Sequence, residues 1–65
     1  METEKICEYF SEDNTKRADV YNGDIPHVNF FDRGILVESR SFPAHNYLYA
    51  ERAAENFVNG VLVIK

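Results

Sequence analysis

The feature that most constrains the fold is one long stretch of helical periodicity in the second half of the sequence. From Asn46 onward, apolar residues recur at spacings of three and four, which places them on one face of a helix. Asn46 is a typical N-cap, and Asn59-Gly60 tolerates the left-handed conformation that ends many helices. The sequence therefore predicts one helix over residues 46–59. The apolar face comprises Tyr47, Ala50, Ala53, Ala54, Phe57, Val58 and Val61, and the polar face comprises Glu51, Arg52, Glu55 and Asn56.

Two short strands are predicted in the first third of the chain. Residues 5–10 are rich in β-forming side chains and are followed by a polar cluster with the composition of a turn. Residues 17–21 alternate, with Ala18 and Val20 on one side of the strand. Pro26 follows so closely that the connection after this strand is expected to be short and irregular.

A β-hairpin is predicted next, with arms at residues 28–31 and 35–42. Asp32-Arg33-Gly34 lies between the arms, and Gly34 is expected to supply the positive φ of a bulged type I turn. In the second arm, Glu38 and Arg40 share one face, which their charges mark as solvated. The other face, which begins with Ile35, is then expected to point to the core.

These elements predict an α+β fold for residues 1–65 as a single small domain. The expected architecture is a small antiparallel sheet of four to five short strands with one helix packed on one face. Residues 61–64 are apolar and follow the helix directly, so they are expected to form the last strand. A domain of 65 residues is near the lower size limit for independent folding, so burial against a partner would stabilise it.

Charge and cysteine content narrow the function classes. The net charge is −4, from 11 acidic and 7 basic residues, and no basic cluster is present, which disfavours direct binding of nucleic acid. The first residues are acidic and no apolar run approaches a membrane span, so no membrane association is expected. Cys7 is the only cysteine and is expected to be a small buried apolar residue in a reducing, cytoplasmic environment.

The sequence contains no convincing catalytic or metal-binding pattern. Glu51 and Glu55 are one helical turn apart, but they fall on the predicted solvated face, and His45 precedes the helix. Neither His27 nor His45 has a serine or cysteine at a recognisable triad spacing. We therefore expect no catalytic residues, no cofactor and no metal, and the protein is predicted not to be an enzyme.

Aromatic residues are the feature that a simple core explains least. They make up 14% of the chain, and Tyr9-Phe10 and Phe30-Phe31 are adjacent pairs. Neighbours on a strand point to opposite faces, so one ring of each pair must face outward if the core covers one side of the sheet. Outward rings without basic neighbours favour a protein interface over base stacking. The predicted protein-binding residues are Tyr9, Tyr21 and Phe31, with Glu38 and Arg40 on a solvated sheet face.

Three segments carry a resemblance to a known group of proteins. SEDN at 11–14, RADVY at 17–21 and YAERAAENFVNGV at 49–61 resemble short uncharacterised accessory proteins of marine cyanophages, over about half of the chain. The resemblance implies a phage protein in an infected bacterial cell, where small acidic proteins bind and redirect a host enzyme or machine. It implies no catalytic residue.

The predicted function is that of a non-catalytic small acidic protein that binds and modulates a host or cellular protein. One alternative is a nucleic-acid mimic that inhibits a DNA-binding protein, although the acidic residues are scattered along the chain. The other alternative is a small subunit or a homodimeric structural protein.

Overall fold

A computed structural model describes residues 4–43 and 46–62 and shows a four-stranded antiparallel sheet with one helix packed against it. The strands lie side by side in chain order, and each pairs antiparallel with the next. This architecture confirms the predicted α+β fold. The elements are β1 (Glu4–Phe10), β2 (Lys16–Asn22), β3 (His27–Asp32), β4 (Ile35–Ser41) and α1 (Tyr47–Val58).

The core lies between α1 and the two central strands, β2 and β3. Alanines at the helix surface let its backbone approach the sheet closely, and the rings of Phe57 and Phe30 meet edge to face, with centroids 4.9 Å apart. The helix makes few contacts with β1, and β4 lies largely outside the area that the helix covers. The fully buried side chains are Ala18, Val20, Val28 and Phe30 from the sheet and Ala50 and Ala54 from the helix, with Phe42, Phe57 and Val58 nearly so.

The predicted helix boundaries are confirmed by the cap geometry. The Asn46 side chain accepts a hydrogen bond of 3.1 Å from the backbone N–H of Leu48, as an N-cap does. At the other end Gly60 has a φ of +81°, and the N–H groups of Gly60 and Val61 bond back to the carbonyls of Phe57 and Asn56. This pair of backbone hydrogen bonds is the Schellman motif, and it ends the helix at Val58.

The connection between β3 and β4 differs from the predicted bulged type I turn. Asp32 pairs with Ile35, so the loop has only two residues, and both Arg33 and Gly34 have positive φ values, 54° and 82°. Positive φ at both loop positions defines a type I′ turn, whose twist matches that of the flanking strands. The positive φ predicted at Gly34 is confirmed, but the turn type was wrong.

The last predicted strand is not seen in the residues that the structure describes. Val61 and Leu62 form a bend after the helix rather than a strand. Val61 is 73% exposed, because the chain turns at Gly60, before the apolar face of the helix can extend to Val61. The remaining positions of that prediction, residues 63–64, lie outside the described residues.

Candidate protein-binding surfaces

The two faces of the sheet are distinguished by which residues lie directly opposite one another, since such pairs share a face. Ala18 lies opposite Phe30, and Val20 lies opposite Val28, and all are buried under the helix. No element in the described part of the chain covers the opposite side, which we call the outer face. Its residues are Lys5, Glu8, Phe10, Arg17, Asp19, Tyr21, His27, Asn29, Phe31, Leu36, Ser39 and Ser41.

Two predicted contact aromatics, Tyr21 and Phe31, lie on the outer face as expected. Tyr21 stacks on its cross-strand neighbour His27, with centroids 4.6 Å apart and planes inclined by 5°. The guanidinium carbon of Arg17 lies 4.1 Å from the Phe31 ring centroid. Both rings are therefore half-buried by a neighbour and held in one orientation.

Tyr9 was expected to face outward, and the structure corrects this. Tyr9 lies opposite Ala18 and packs against the core, while Phe10 points to the outer face and is 53% exposed. Ala18 has no side chain beyond its Cβ, so the facing position on β1 has room for a ring. Burial, with nearby Cys7 second, raises the pKa of Tyr9 to about 12.

Glu38 and Arg40 were expected on a solvated face opposite the core side, and this placement was also wrong. Glu38 lies opposite Phe30, which puts it on the helix side of the sheet. Arg40, opposite buried Val28, is on the same side. The register shifts by one residue at Val37, and one extra residue inverts the side to which every later side chain points.

Glu38 and Arg40 stay half-buried because α1 does not extend over β4. Both Nε and Nη2 of Arg40 lie 2.6 Å from Oε2 of Glu38. The guanidinium also lies 5.9 Å from the Phe30 ring, beside the edge of the core.

The centre of the outer face is a charged cluster whose charges compensate one another. Asp19 is only 3% exposed, with its carboxylate 3.2 Å from Nε of Arg17 and 3.6 Å from Nζ of Lys5. Glu8 also pairs with Lys5, and this hydrogen bond lowers the pKa of Glu8 and raises that of Lys5. Two acids and two bases therefore form an approximately neutral centre, with the aromatic residues around it.

A groove of about 270 Å³ lies between β4 and α1. Its apolar part comes from Phe42 and Tyr49, whose ring centroids are 5.3 Å apart, together with Ala53 and Leu62. The polar part comprises Arg40, Arg52 and Asn56. Sequence periodicity assigned Arg52 and Asn56 to the solvated side of the helix and did not show that this flank lines a groove.

The opposite flank of α1 is acidic and faces β1. The Sγ of Cys7 is 3.6 Å from Oε2 of Glu51. The pKa of the thiol is raised, mainly by burial and further by Glu51, although a hydrogen bond with Tyr9 acts to lower it. Cys7 is half-buried, rather than fully buried as expected, and Glu51 is half-buried rather than solvated. The helix therefore presents carboxylates toward β1 and an arginine toward β4.

A second cavity, of about 300 Å³, lies between the β1–β2 turn and the end of the helix. Glu12 and Asp13 both line it. The Asp13 carboxylate accepts hydrogen bonds from the hydroxyls of Ser11 and Thr15, at 2.8 Å each, and from the Thr15 N–H at 3.1 Å. These bonds lower the pKa of Asp13 to about 2. They hold the turn, so Asp13 has a structural role.

Neither a metal cluster nor a bilayer-spanning helix is found in the described ranges. Within residues 4–43 and 46–62, no group of three or more His, Cys, Asp or Glu side chains could hold a metal ion. No helix in the same residues is both long and apolar enough to cross a bilayer. Of the two histidines, His27 stacks on Tyr21, and His45 lies outside the described residues.

The chain matches no protein-family model, no curated protein and no solved structure. Its fold and surfaces define a small α+β domain in which no described element covers one sheet face and a groove lies between β4 and α1.

Proposed function

We propose that this protein is a non-catalytic protein-binding domain whose outer face is the contact surface. The observation that supports this most directly is that the outer face, which no element within residues 4–43 and 46–62 covers, carries Phe10, Tyr21 and Phe31 around a compensated charged centre. Aromatic and arginine side chains are enriched at the energetically important positions of protein interfaces. Such a face binds by shape and apolar contact.

The arrangement of the side chains lowers the cost of binding. Stacking on His27 orders Tyr21, and Arg17 orders Phe31, so these rings lose little conformational freedom when a partner covers them. Asp19 is already nearly buried and ion-paired in the free domain. Covering the centre of the face therefore adds little further desolvation of that carboxylate.

The partner we propose is a host or cellular protein in the cytoplasm, whose activity this domain modulates on binding. The resemblance to cyanophage accessory proteins supports a host protein as that partner. Mimicry of nucleic acid has less support, because the outer-face acids Glu8 and Asp19 are paired with Lys5 and Arg17. A second copy of the chain is the remaining candidate for the same face.

Affinity capture from a host lysate tests this proposal when surface variants are compared side by side. The double variant Tyr21→Ser with Phe31→Ser removes two outer-face rings, and Leu48→Ser is the control, because Leu48 is 55% exposed on the helix. We expect the wild type and the control to capture the same stoichiometric protein and the double variant to lose it. Equal capture by all three would contradict a role for the outer face.

Light scattering over a range of concentrations separates a heterologous partner from a second copy. A dimer that the double variant abolishes would assign the outer face to self-association. A monomer at every concentration, together with capture of one host protein, would assign it to that protein.

A further inference from the structure

We infer that the groove between β4 and α1 is a second binding site, separate from the outer face. Its occupant is an extended, acidic segment of a partner protein that adds to the sheet as a strand alongside β4. Two features of the structure lead to this assignment: backbone groups of β4 that point away from the described sheet, and a partly apolar groove with arginines beside them.

β4 is an edge strand, and alternate residues of an edge strand direct their backbone groups away from the sheet. The N–H of Phe42 bonds to the carbonyl of Pro26 at 2.9 Å, so Phe42 points its backbone toward β3. By alternation, the N–H and C=O groups of Ser39 and Ser41 point outward. The register shift at Val37 confines the regular edge to residues 38–41.

A strand added at this edge would place every second side chain on the helix side of the sheet, in the groove. There it would meet Phe42, Tyr49 and Ala53, which accept apolar side chains. Main-chain hydrogen bonds then supply affinity, and the groove supplies selectivity for the alternate side chains. A bound helix could not use the outward groups of Ser39 and Ser41, so the geometry favours an extended occupant.

The charge of the groove sets the chemistry of that occupant. The whole chain has a net charge of −4, yet among the described residues the groove is lined by Arg40 and Arg52 and by no acidic side chain. Glu38 pairs with Arg40, whereas Arg52 is exposed and makes no ion pair with any residue in the described ranges. Aspartate or glutamate beside an apolar residue is therefore the complement of this site.

Selection from a displayed library of random peptides tests the assignment without knowledge of the natural partner. We expect enriched peptides to alternate apolar side chains, to contain aspartate or glutamate and to lack proline. A synthetic copy of one such peptide should shift the NMR signals of the Ser39 and Ser41 amides and slow their hydrogen exchange. Enrichment of helical three- and four-residue spacing, or of nothing at all, would overturn the inference.

Matched variants separate backbone pairing from charge. Ser39→Pro removes an outward N–H that no strand within residues 4–43 and 46–62 uses. Ser39→Ala is its control, because it removes only the hydroxyl that bonds to Asn29. Arg52→Glu reverses the groove charge, and Arg33→Glu makes the same change at the hairpin tip, where Arg33 is 78% exposed. We expect Ser39→Pro and Arg52→Glu each to weaken the peptide affinity roughly tenfold, with the controls near wild type.

Far-UV circular dichroism of each variant shows whether it has folded, and a folded Ser39→Pro variant that binds normally would refute strand addition. An Arg52→Glu variant with unchanged affinity would refute the acidic occupant. Dimerisation that protects the Ser39 and Ser41 amides without peptide would overturn the inference in favour of a second copy. The Tyr21→Ser, Phe31→Ser double variant should bind the peptide normally, so failure of the groove and failure of the outer face are distinguishable.

Discussion

The prediction that tests the fold most directly concerns Phe57, the largest buried side chain of α1. It is 3% exposed, and its ring meets Phe30 edge to face at 4.9 Å. Phe30 is fully buried on β3, so this pair is the main aromatic contact between the helix and the sheet. Phe57→Ala would leave a cavity at the centre of the core.

The expected loss can be compared with the total stability of so small a domain. Replacing a buried phenylalanine with alanine costs about 3–5 kcal/mol, which includes the loss of the aromatic pair. At about 0.05–0.15 kcal/mol per residue, a chain of 65 residues has a free energy of unfolding of roughly 3–10 kcal/mol. We therefore expect Phe57→Ala to remove between about a third and all of the stability, and Phe57→Leu to cost less, because it leaves a smaller cavity.

Urea unfolding followed by far-UV circular dichroism measures these changes. Phe10→Ala is the matched control, because the same atoms are removed from a ring that is 53% exposed on the outer face. We expect the control to lose no more than about 1 kcal/mol. Equal losses for Phe57→Ala and Phe10→Ala would refute the packing of α1 on the face of the sheet that carries Phe30.

Three further predictions follow from the perturbed pKa values. The pKa of Asp13 falls from 3.8 to about 2 on folding, so the Asp13 carboxylate stabilises the folded state above pH 3.8, and this contribution is lost as the pH falls toward 2. The free energy of unfolding of Asp13→Asn should therefore decline less at acid pH than that of the wild type. The pKa of Tyr9 rises from 10.0 to about 12 on folding, so the neutral Tyr9 phenol stabilises the folded state below pH 10, and this contribution is lost as the pH rises through 12. Tyr9→Phe should remove the most alkaline step of an ultraviolet tyrosine titration. The raised pKa of Cys7 predicts slow reaction with a disulfide reagent at neutral pH, and Glu51→Gln should speed this reaction. The first prediction is contradicted if Asp13→Asn loses stability at acid pH as the wild type does. The second is contradicted if Tyr9→Phe leaves the tyrosine titration unchanged, and the third if the Cys7 thiol of Glu51→Gln reacts no faster than that of the wild type.

How far the candidate surfaces could be predicted depended on strand register. Tyr21 and Phe31 were placed correctly on the outer face, because simple alternation holds along β2 and up to Phe31 on β3. The choice between Tyr9 and Phe10 as the outward residue depended on which of them lies opposite Ala18. Two adjacent aromatic residues do not indicate which one that is. The groove was missed because Phe42 and Tyr49 meet only when the helix has docked.

Features that depend on interactions within a few residues could be predicted from the sequence. The Asn46 cap, the end of the helix at Asn59-Gly60 and the positive φ of Gly34 all belong to this class, since each reflects hydrogen bonds or backbone freedom within one turn. Tertiary structure decided which faces the end of β1 and the end of β4 present. A single extra residue at Val37 put Glu38 and Arg40 on the helix side, because strand pairing, unlike a cap, depends on residues distant in the chain.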